Sequence, residues 1–396
     1  MIDFLKRTWA QIDLDAVADN YRAIAASLSA GCRVMAIVKA DAYGHGAGYV
    51  SRTLRAAGAT WFGVSNLEEA LQLRRAGIAD SILILGYTPP EEARRLAEYR
   101  ITQTVCGREY GEQLSAAAMR AGVRVRVHVK IDTGMSRIGF VCQEKNQLSA
   151  AVPEIEAICR LPGIEAEGAF THFASADEED DGGFTRRQFS LFQEALSLLE
   201  QRGVTFALRH CCNSAATLRY PEMHLDMVRP GLILYGLFPA PWMQGTLPLR
   251  PAMELKTAVS LVKTVPAGAV VSYGRTVSTE RDTTLATVPI GYADGYPRSL
   301  SNRAAMLVHG RRATVTGRVC MDQCMLDVSD IPDVREGDVV TVFGKEGGEC
   351  LPVEEFAALA GTIHYESICL IGKRVPRIFQ SGGRRVGQLN YIVPED

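Results

Sequence analysis

Residues 33–50 read RVMAIVKADAYGHGAGYV. After Arg33 come five apolar residues, Val34 to Val38, and then Lys39, at the point where a buried strand should end. Ala-Asp-Ala-Tyr-Gly-His-Gly follows, so a tyrosine, a histidine and glycines surround an amine at a strand tip. Such a lysine has two readings. It snorkels at a rim, with its stem buried and its ammonium in water. Or it is an amine whose pKa is lowered by a confined site, able to form a Schiff base with an aldehyde cofactor.

The surrounding sequence says what kind of sheet this strand joins. Short apolar runs recur at VMAIVK (34–39), WFGVS (61–65), ILILG (82–86), ITQTV (101–105), VRVRVHVKI (123–131), IEAEGAFTHF (164–173), TFALRHCC (205–212) and LILYG (232–236). Amphipathic stretches such as NLEEALQLRRAG and FTRRQFSLFQEALSLLEQRG lie between them, the second with Gly203 as its helix stop. Strands alternating with helices imply a parallel sheet, and eight of them favour an N-terminal (β/α)8 barrel of the TIM type over an open sheet. The fifth run alternates Val with Arg, His and Lys, so one of its faces is polar.

After GLFPAPWMQGTLPLRPAMEL the pattern changes to strands with few long helices: TAVSLVKTV, AVVSYG, TTLATVPIG, AAMLVHG, RATVTG, CMLDVS, DVVTVFG and, beyond the helix VEEFAALAG, SICLIG. The chain therefore divides into a barrel over 1–244 and a mostly β domain over 245–396. Residues 7–14 alternate like a strand that could join the second domain.

Composition narrows the partners. The chain has 396 residues, enough for two sizeable cores. With 47% hydrophobic and 22% charged residues and a net charge of −2, it matches an ordinary globular protein and gives no reason to expect nucleic acid or a membrane surface. No apolar leader opens the sequence and no run is long enough to span a bilayer, so a cytoplasmic location is the expectation. Ten scattered cysteines without paired C-x-x-C knuckles, and seven histidines without ligand spacing, point to no metal site.

In a closed barrel the chemistry sits at the C-terminal ends of the strands. Those ends carry Lys39 and Tyr43, then Lys130, Asp132 and Arg137, then His172, then Asn213 and Ser214, and finally Arg229 and Gly231. Ser214, Tyr43 and the backbone N–H groups of Gly231 and Leu232 would make a phosphate cradle of the kind barrels build from their last strands. A lysine beside a phosphate cradle is what pyridoxal 5'-phosphate (PLP) requires. Arg229 selects among PLP chemistries. Arginine only donates, so it would leave the pyridine nitrogen unprotonated, which suits removal and return of an α-proton and suppresses transamination. The alternative for Arg229 is a salt bridge with Asp226.

The motifs AIVKADAYGHG, HVKIDTGMSRIGF, THFASADE, CNSAA, VRPGLILYG, VSYG, VPIGYADGYPR, GRVCMDQ and IHYE run nearly the whole length. On these the chain resembles the bacterial alanine racemases, PLP enzymes built from a barrel and a C-terminal β-domain. The resemblance implies interconversion of L- and D-alanine by two bases, supplying D-alanine for peptidoglycan. Lys39 would be the Schiff-base lysine and one base, and Tyr273 the other, reaching in from the partner subunit of a homodimer with shared active sites. Arg229 would face the pyridine nitrogen, and His172 would link it to Tyr273. Tyr43, Ser214, Gly231, Leu232 and Tyr365 match phosphate contacts. Arg137 and Met321 match contacts to the substrate carboxylate, Met321 again from the partner. Tyr292 matches a gate of the substrate channel, with Asp177, Arg298 and Arg318 at its polar entrance. Lys130 matches a lysine carbamylated in many members, which requires a neutral amine. Its alternative is an ordinary barrel lysine paired with Asp132.

Three other functions share the scaffold. A serine or broad-specificity amino-acid racemase would use nearly the same motifs, since one pocket discriminates weakly over a hydroxyl or methylene. A PLP-dependent decarboxylase is opposed by Arg229, and a non-catalytic PLP carrier would not need the β-domain that brings Tyr273 and Met321.

Overall fold

The computed structural model describes residues 4–393. The chain forms two compact units. One comprises residues 16–42 and 47–250; the other gathers the chain up to Asp15, residues 43–46 and the chain from Pro251 onward.

In the first unit eight parallel strands follow one another around a ring: Arg33–Ile37, Trp61–Val64, Ser81–Ile84, Ile101–Val105, Val125–Asp132, Ile164–Phe170, Leu208–His210 and Met227–Val228. Met227–Val228 pairs back onto Arg33–Val34. On its other side the N–H of Asp226 donates to Arg209 O at 3.1 Å and that of Arg229 to Cys212 O at 2.9 Å, so the barrel closes. Seven of the expected runs coincide with these strands. The eighth does not: Leu232–Tyr235, read as a strand from LILYG, is a buried 3-10 helix, and the last strand is the two-residue Met227–Val228 just before it. A short buried apolar run does not by itself distinguish strand from helix. Pro230 here separates the last strand from that turn, since proline cannot donate to a ladder.

The helices cover the outside with one apolar stripe each. Phe184–Gln201 buries Thr185, Gln188, Leu191, Phe192, Ala195 and Leu199, the three-to-four spacing of a single helix face. It stops as expected at Gly203, whose φ of 77° suits a residue without Cβ and whose N–H donates to Glu200 O at 2.8 Å.

The second unit is built on an 11-stranded sheet. Thr8–Asp13 lies inside it, antiparallel to Met253–Ala258 and parallel to Arg377–Ser381. Two differences from the sequence reading stand out. Ser367 to Cys369 of SICLIG belong to the helix His364–Cys369 rather than to a strand. The edge hairpin Arg377–Ser381 with Arg384–Leu389 was not foreseen, because RIFQSGGRRVGQL carries only a weak apolar alternation. Val270–Val271 and Val277–Ser278 form a small separate hairpin whose tip carries Tyr273.

Candidate active site

Lys39 opens a turn, Lys39–Tyr43, in which Ala40, Asp41, Ala42 and Tyr43 have φ of 51, 54, 55 and 54°. A left-handed backbone costs an L-residue about 1–2 kcal/mol, and such strain persists only where neighbouring contacts over-determine it. Here they do. The Glu69 carboxylate accepts from the N–H of Ala40 at 2.8 Å and of Ser65 at 2.7 Å, and Asp41 Oδ1 accepts from the N–H of Ala47 at 2.7 Å. Glu69 is itself fixed, because its N–H donates to the Asn66 cap of helix Leu67–Arg75. These bonds hold the backbone that carries Lys39.

Four cations converge at this end of the barrel. Burial, followed by the fields of Arg229, Lys130, Arg137 and Lys39, holds the His172 pKa well below that of a free histidine. The same crowding acts on Lys130, which is 2% exposed. Burial and then Arg229 hold its amine well below the ordinary lysine range, against an opposing pull from Asp132. Lys130 Nζ donates to Ile131 O at 3.3 Å and stands 5.2 Å from the centre of the Phe170 ring. The pairing with Asp132 weighed from sequence is absent among the described residues. Asp132 Oδ1 accepts from the N–H groups of Gly134, Met135 and Ser136 at 2.9–3.0 Å, and Oδ2 from Gln143 Nε2 at 3.0 Å. That carboxylate shapes the loop that carries Arg137.

Arg229 is 4% exposed and is satisfied by uncharged acceptors. It donates through Nη1 to His210 Nδ1 at 2.8 Å, and through Nη2 to Thr171 O at 2.8 Å, Cys211 O at 3.0 Å and His172 Nδ1 at 3.3 Å. The Asp226 bridge considered from sequence is instead made by Arg209, at 2.7 Å. Burial without a carboxylate partner pulls the guanidinium down to about 10, which still leaves it charged at neutral pH. His210 stacks on Phe170 with ring centres 4.9 Å apart, and its Nε2 lies 2.8 Å from His128 Nδ1. Neither His128 nor His210 was singled out from sequence. The signal was present in VRVRVHVKI, whose alternation places His128 on the same strand face as Lys130.

Two of the residues expected to cradle a phosphate are in contact. Asn213 caps the helix Ser214–Arg219, and Ser214 Oγ accepts from the N–H of Gly231 at 2.9 Å, joining this helix start to that of Leu232–Tyr235. Adjoining helix starts and a hydroxyl present the donor set a phosphate group needs. A donor-only guanidinium suits an unprotonated ring nitrogen, and the strand-end lysine suits an aldehyde, so the residues present fit PLP. The Asp177 backbone carbonyl accepts from Trp242 Nε1 at 3.0 Å.

The remaining candidates lie in the second unit. Tyr43 and Tyr365 have ring centres 6.4 Å apart, and burial, reinforced by Tyr365 and Cys369, pushes the Tyr43 phenol upward. Tyr273 is 69% exposed, with Met321 at 52% and Tyr292 at 44%. Short contacts hold these residues to one surface. Ser272 Oγ donates to Arg318 O at 2.6 Å, and the N–H groups of Tyr292 and Ala293 donate to Cys320 O at 3.1 Å and Met321 O at 3.0 Å. A Cβ on Gly291 would stand 2.3 Å from Cys320 O, so this approach requires glycine. Arg298 begins the adjacent turn Arg298–Leu300. Among the described residues there is no metal-binding cluster of His, Cys, Asp or Glu, and no helix is long and apolar enough to cross a membrane.

The buried imidazoles make stability depend on pH. The pKa values of His128, His172 and His210 all lie below that of a free histidine, about 6.5. As pH falls the unfolded chain binds protons first. The stabilisation is therefore complete above about pH 6.5 and lost below it. Urea unfolding should show a loss of stability between about pH 7.5 and 5.5 that is smaller in His210→Gln. Equal losses in the two proteins would contradict this assignment.

The profile of the alanine racemase N-terminal domain matches residues 12–239, and that of the alanine racemase C-terminal domain matches residues 252–379. The alanine racemase of Desulforamulus reducens is 48% identical over 372 residues, covering 94% of this chain and 98% of that one. Among solved structures, the alanine racemase of Clostridium difficile 630 superposes with a TM-score of 0.93 at 38% identity, over 99% of this chain and 100% of the other. That of Bacillus anthracis with bound L-Ala-P gives 0.91 at 38% identity, over 98% and 99%.

Proposed function

The chain belongs to the alanine racemase family, and we propose that it interconverts L-alanine and D-alanine with PLP, using Lys39 and a Tyr273 from a second copy of the chain as its two bases. The observation that carries this reading is Arg229: a buried cation whose hydrogen bonds among the described residues run to neutral acceptors and to no carboxylate. A donor-only group there suits proton exchange at one carbon and disfavours decarboxylation, which benefits from a protonated ring.

When bound, PLP supplies an electron-withdrawing ring that acidifies the α-C–H of an amino acid joined to it. The chain's residues do the rest. Lys39, Arg229, Ser214, Gly231 and Leu232 would hold the cofactor from the barrel, with Tyr43 and Tyr365 reaching its phosphate. Lys39 Nζ takes or returns the α-proton on one face, and the Tyr273 hydroxyl does so on the other. Arg137 and the Met321 N–H orient the substrate carboxylate, which leaves the C–H between the bases. His172 connects Arg229 to the incoming phenol. Tyr292 narrows the entry, and Asp177, Arg298 and Arg318 form its polar mouth.

The exposure of Tyr273 supports the two-chain site. A phenol open to solvent on its own chain becomes a base only when another surface encloses it, and a two-fold pairing would create two such enclosures at once. The decisive experiment incubates purified protein and PLP with a panel of L-amino acids and reads the products by chiral chromatography. D-alanine should predominate; no D-product from L-alanine, or faster turnover of L-serine, would displace this reading.

Lys130 fits carbamylation, because its depressed pKa provides the neutral amine that adds to carbon dioxide. The resulting anion would face Arg137. Protein prepared in 13C-bicarbonate should give a carbamate carbon resonance that is absent from Lys130→Ala. The same resonance in both proteins would place the modification elsewhere.

A further inference from the structure

Arginine can only donate, and this gives direction to the chain of bonds beneath Arg229. His210 Nδ1, 2.8 Å from Arg229 Nη1, has to accept. A neutral imidazole then carries its proton on Nε2, and His210 Nε2 lies 2.8 Å from His128 Nδ1. His128 accepts there in turn, so its own proton sits on Nε2. That nitrogen is buried, has no well-aligned hydrogen-bond partner, and lies 3.4 Å from Glu167 Oε2. Burial disfavours the charged form of both rings.

Two backbone features build the far end of this chain. Val127 pairs with Ala166 but His128 pairs with Gly168, which leaves Glu167 as the extra residue of a bulge. A bulge re-aims its side chain and is a feature often found beside active sites. Gly168 makes room for the ring: a Cβ there would stand 2.8 Å from His128 Cε1 and Nε2. The Glu167 carboxylate also accepts from Thr102 Oγ1 at 3.3 Å and lies 3.9 Å from Arg126 Nη1. Thus a partly buried carboxylate reaches a buried cation through two neutral rings, whose orientation is constrained from both ends.

We propose that Glu167, His128 and His210 form a one-way relay in which Glu167 reinforces, from the far end, the His210 tautomer that Arg229 requires, and so helps to hold Arg229 against the cofactor ring. Glu167 and His128 are positioning residues in this scheme. The role rests on the reading of Arg229 given above, whereas the relay itself does not. Without the acceptor at Glu167, His128 is released to carry its proton on Nδ1. His210 Nε2 would then have to accept, and the His210 proton would move to Nδ1, against Arg229.

The test uses the full-length protein labelled with 15N-histidine, in which NMR reports the protonated nitrogen of each ring. Both His210 and His128 should be protonated on Nε2; a proton on His210 Nδ1 overturns the relay without any variant. Glu167→Lys replaces the terminal acceptor with a donor at a side chain that is 21% exposed. It should invert the His210 tautomer and lower kcat by about tenfold or more, with KM changed by less than about twofold. Glu167→Gln, whose amide oxygen still accepts, should restore the wild-type tautomer. An unchanged His210 tautomer in Glu167→Lys overturns the proposal. Should that variant not fold, Glu167→Ala gives the same reading through a mixture of His210 tautomers, and a single wild-type tautomer there overturns it. Failure of the wild-type protein to racemise alanine would strike the functional reading alone and leave the tautomers as they are.

Discussion

After incubation with PLP and desalting, Lys39→Ala should hold no cofactor that borohydride can trap on the chain, and it should racemise alanine at least about 10³-fold more slowly than the wild-type protein. Two losses combine: the amine that holds the cofactor covalently, and the base on one face of the substrate. The turn keeps the bonds of Ala40 N–H to Glu69 and of Ala47 N–H to Asp41 in this variant. Circular dichroism and unfolding midpoint therefore separate chemistry from misfolding. A yellow Lys39→Ala protein, with borohydride still trapping the cofactor at the same position, would remove Lys39 from its role.

Arg229→Glu should slow racemisation by roughly 100-fold or more, the scale on which loss of a preorganised donor acts. It should also open a slow side reaction in which alanine leaves its nitrogen on the cofactor and departs as pyruvate. Glutamate can keep a ring nitrogen protonated where arginine cannot, and negative charge then spreads into the ring instead of returning promptly to the α-carbon. The variant carries a structural cost as well. Thr171 O and Cys211 O lose their donor and face a carboxylate, and a buried group left unpaired costs about 1–3 kcal/mol. Arg229→Lys, which keeps the charge, is the control: it should be slow without releasing pyruvate. Wild-type racemisation by Arg229→Glu, with no pyruvate, would show that Arg229 does not address the ring.

How far the sequence discloses this site depends on what each residue needs from the chain. Lys39 was legible because a lysine ending an apolar run is a local anomaly. Seven barrel strands were legible because their short runs recur between amphipathic helical stretches, whereas the two-residue Met227–Val228 is too short to have a period and LILYG took its place. The partners of Arg229 were hidden for a different reason. Asp226 is near in sequence and drew attention as an ion-pair candidate, yet the neighbouring strand brings Arg209 to it. His210 and His128 come from strands separated by the strand Ile164–Phe170, so nothing in their sequence spacing places them in line. Glu167 could not be placed at all by counting, because a bulge changes the face on which it falls. In the second unit, the edge hairpin was missed through weak alternation. The motif VSYG draws attention to Tyr273, while its exposure is a property of the folded chain alone.

The central claim is that the two bases of each site come from two chains. Lys39→Ala and Tyr273→Phe homodimers each lack one base at every site, so each should be nearly inactive. When the two variants are mixed under conditions that exchange subunits, each heterodimer should hold one site with both lesions and one site with neither. Racemase activity should then return to about half the wild-type value per heterodimer, with exchange verified by native mass spectrometry. Verified exchange with no return of activity would place Lys39 and Tyr273 of each site on the same chain and contradict the account.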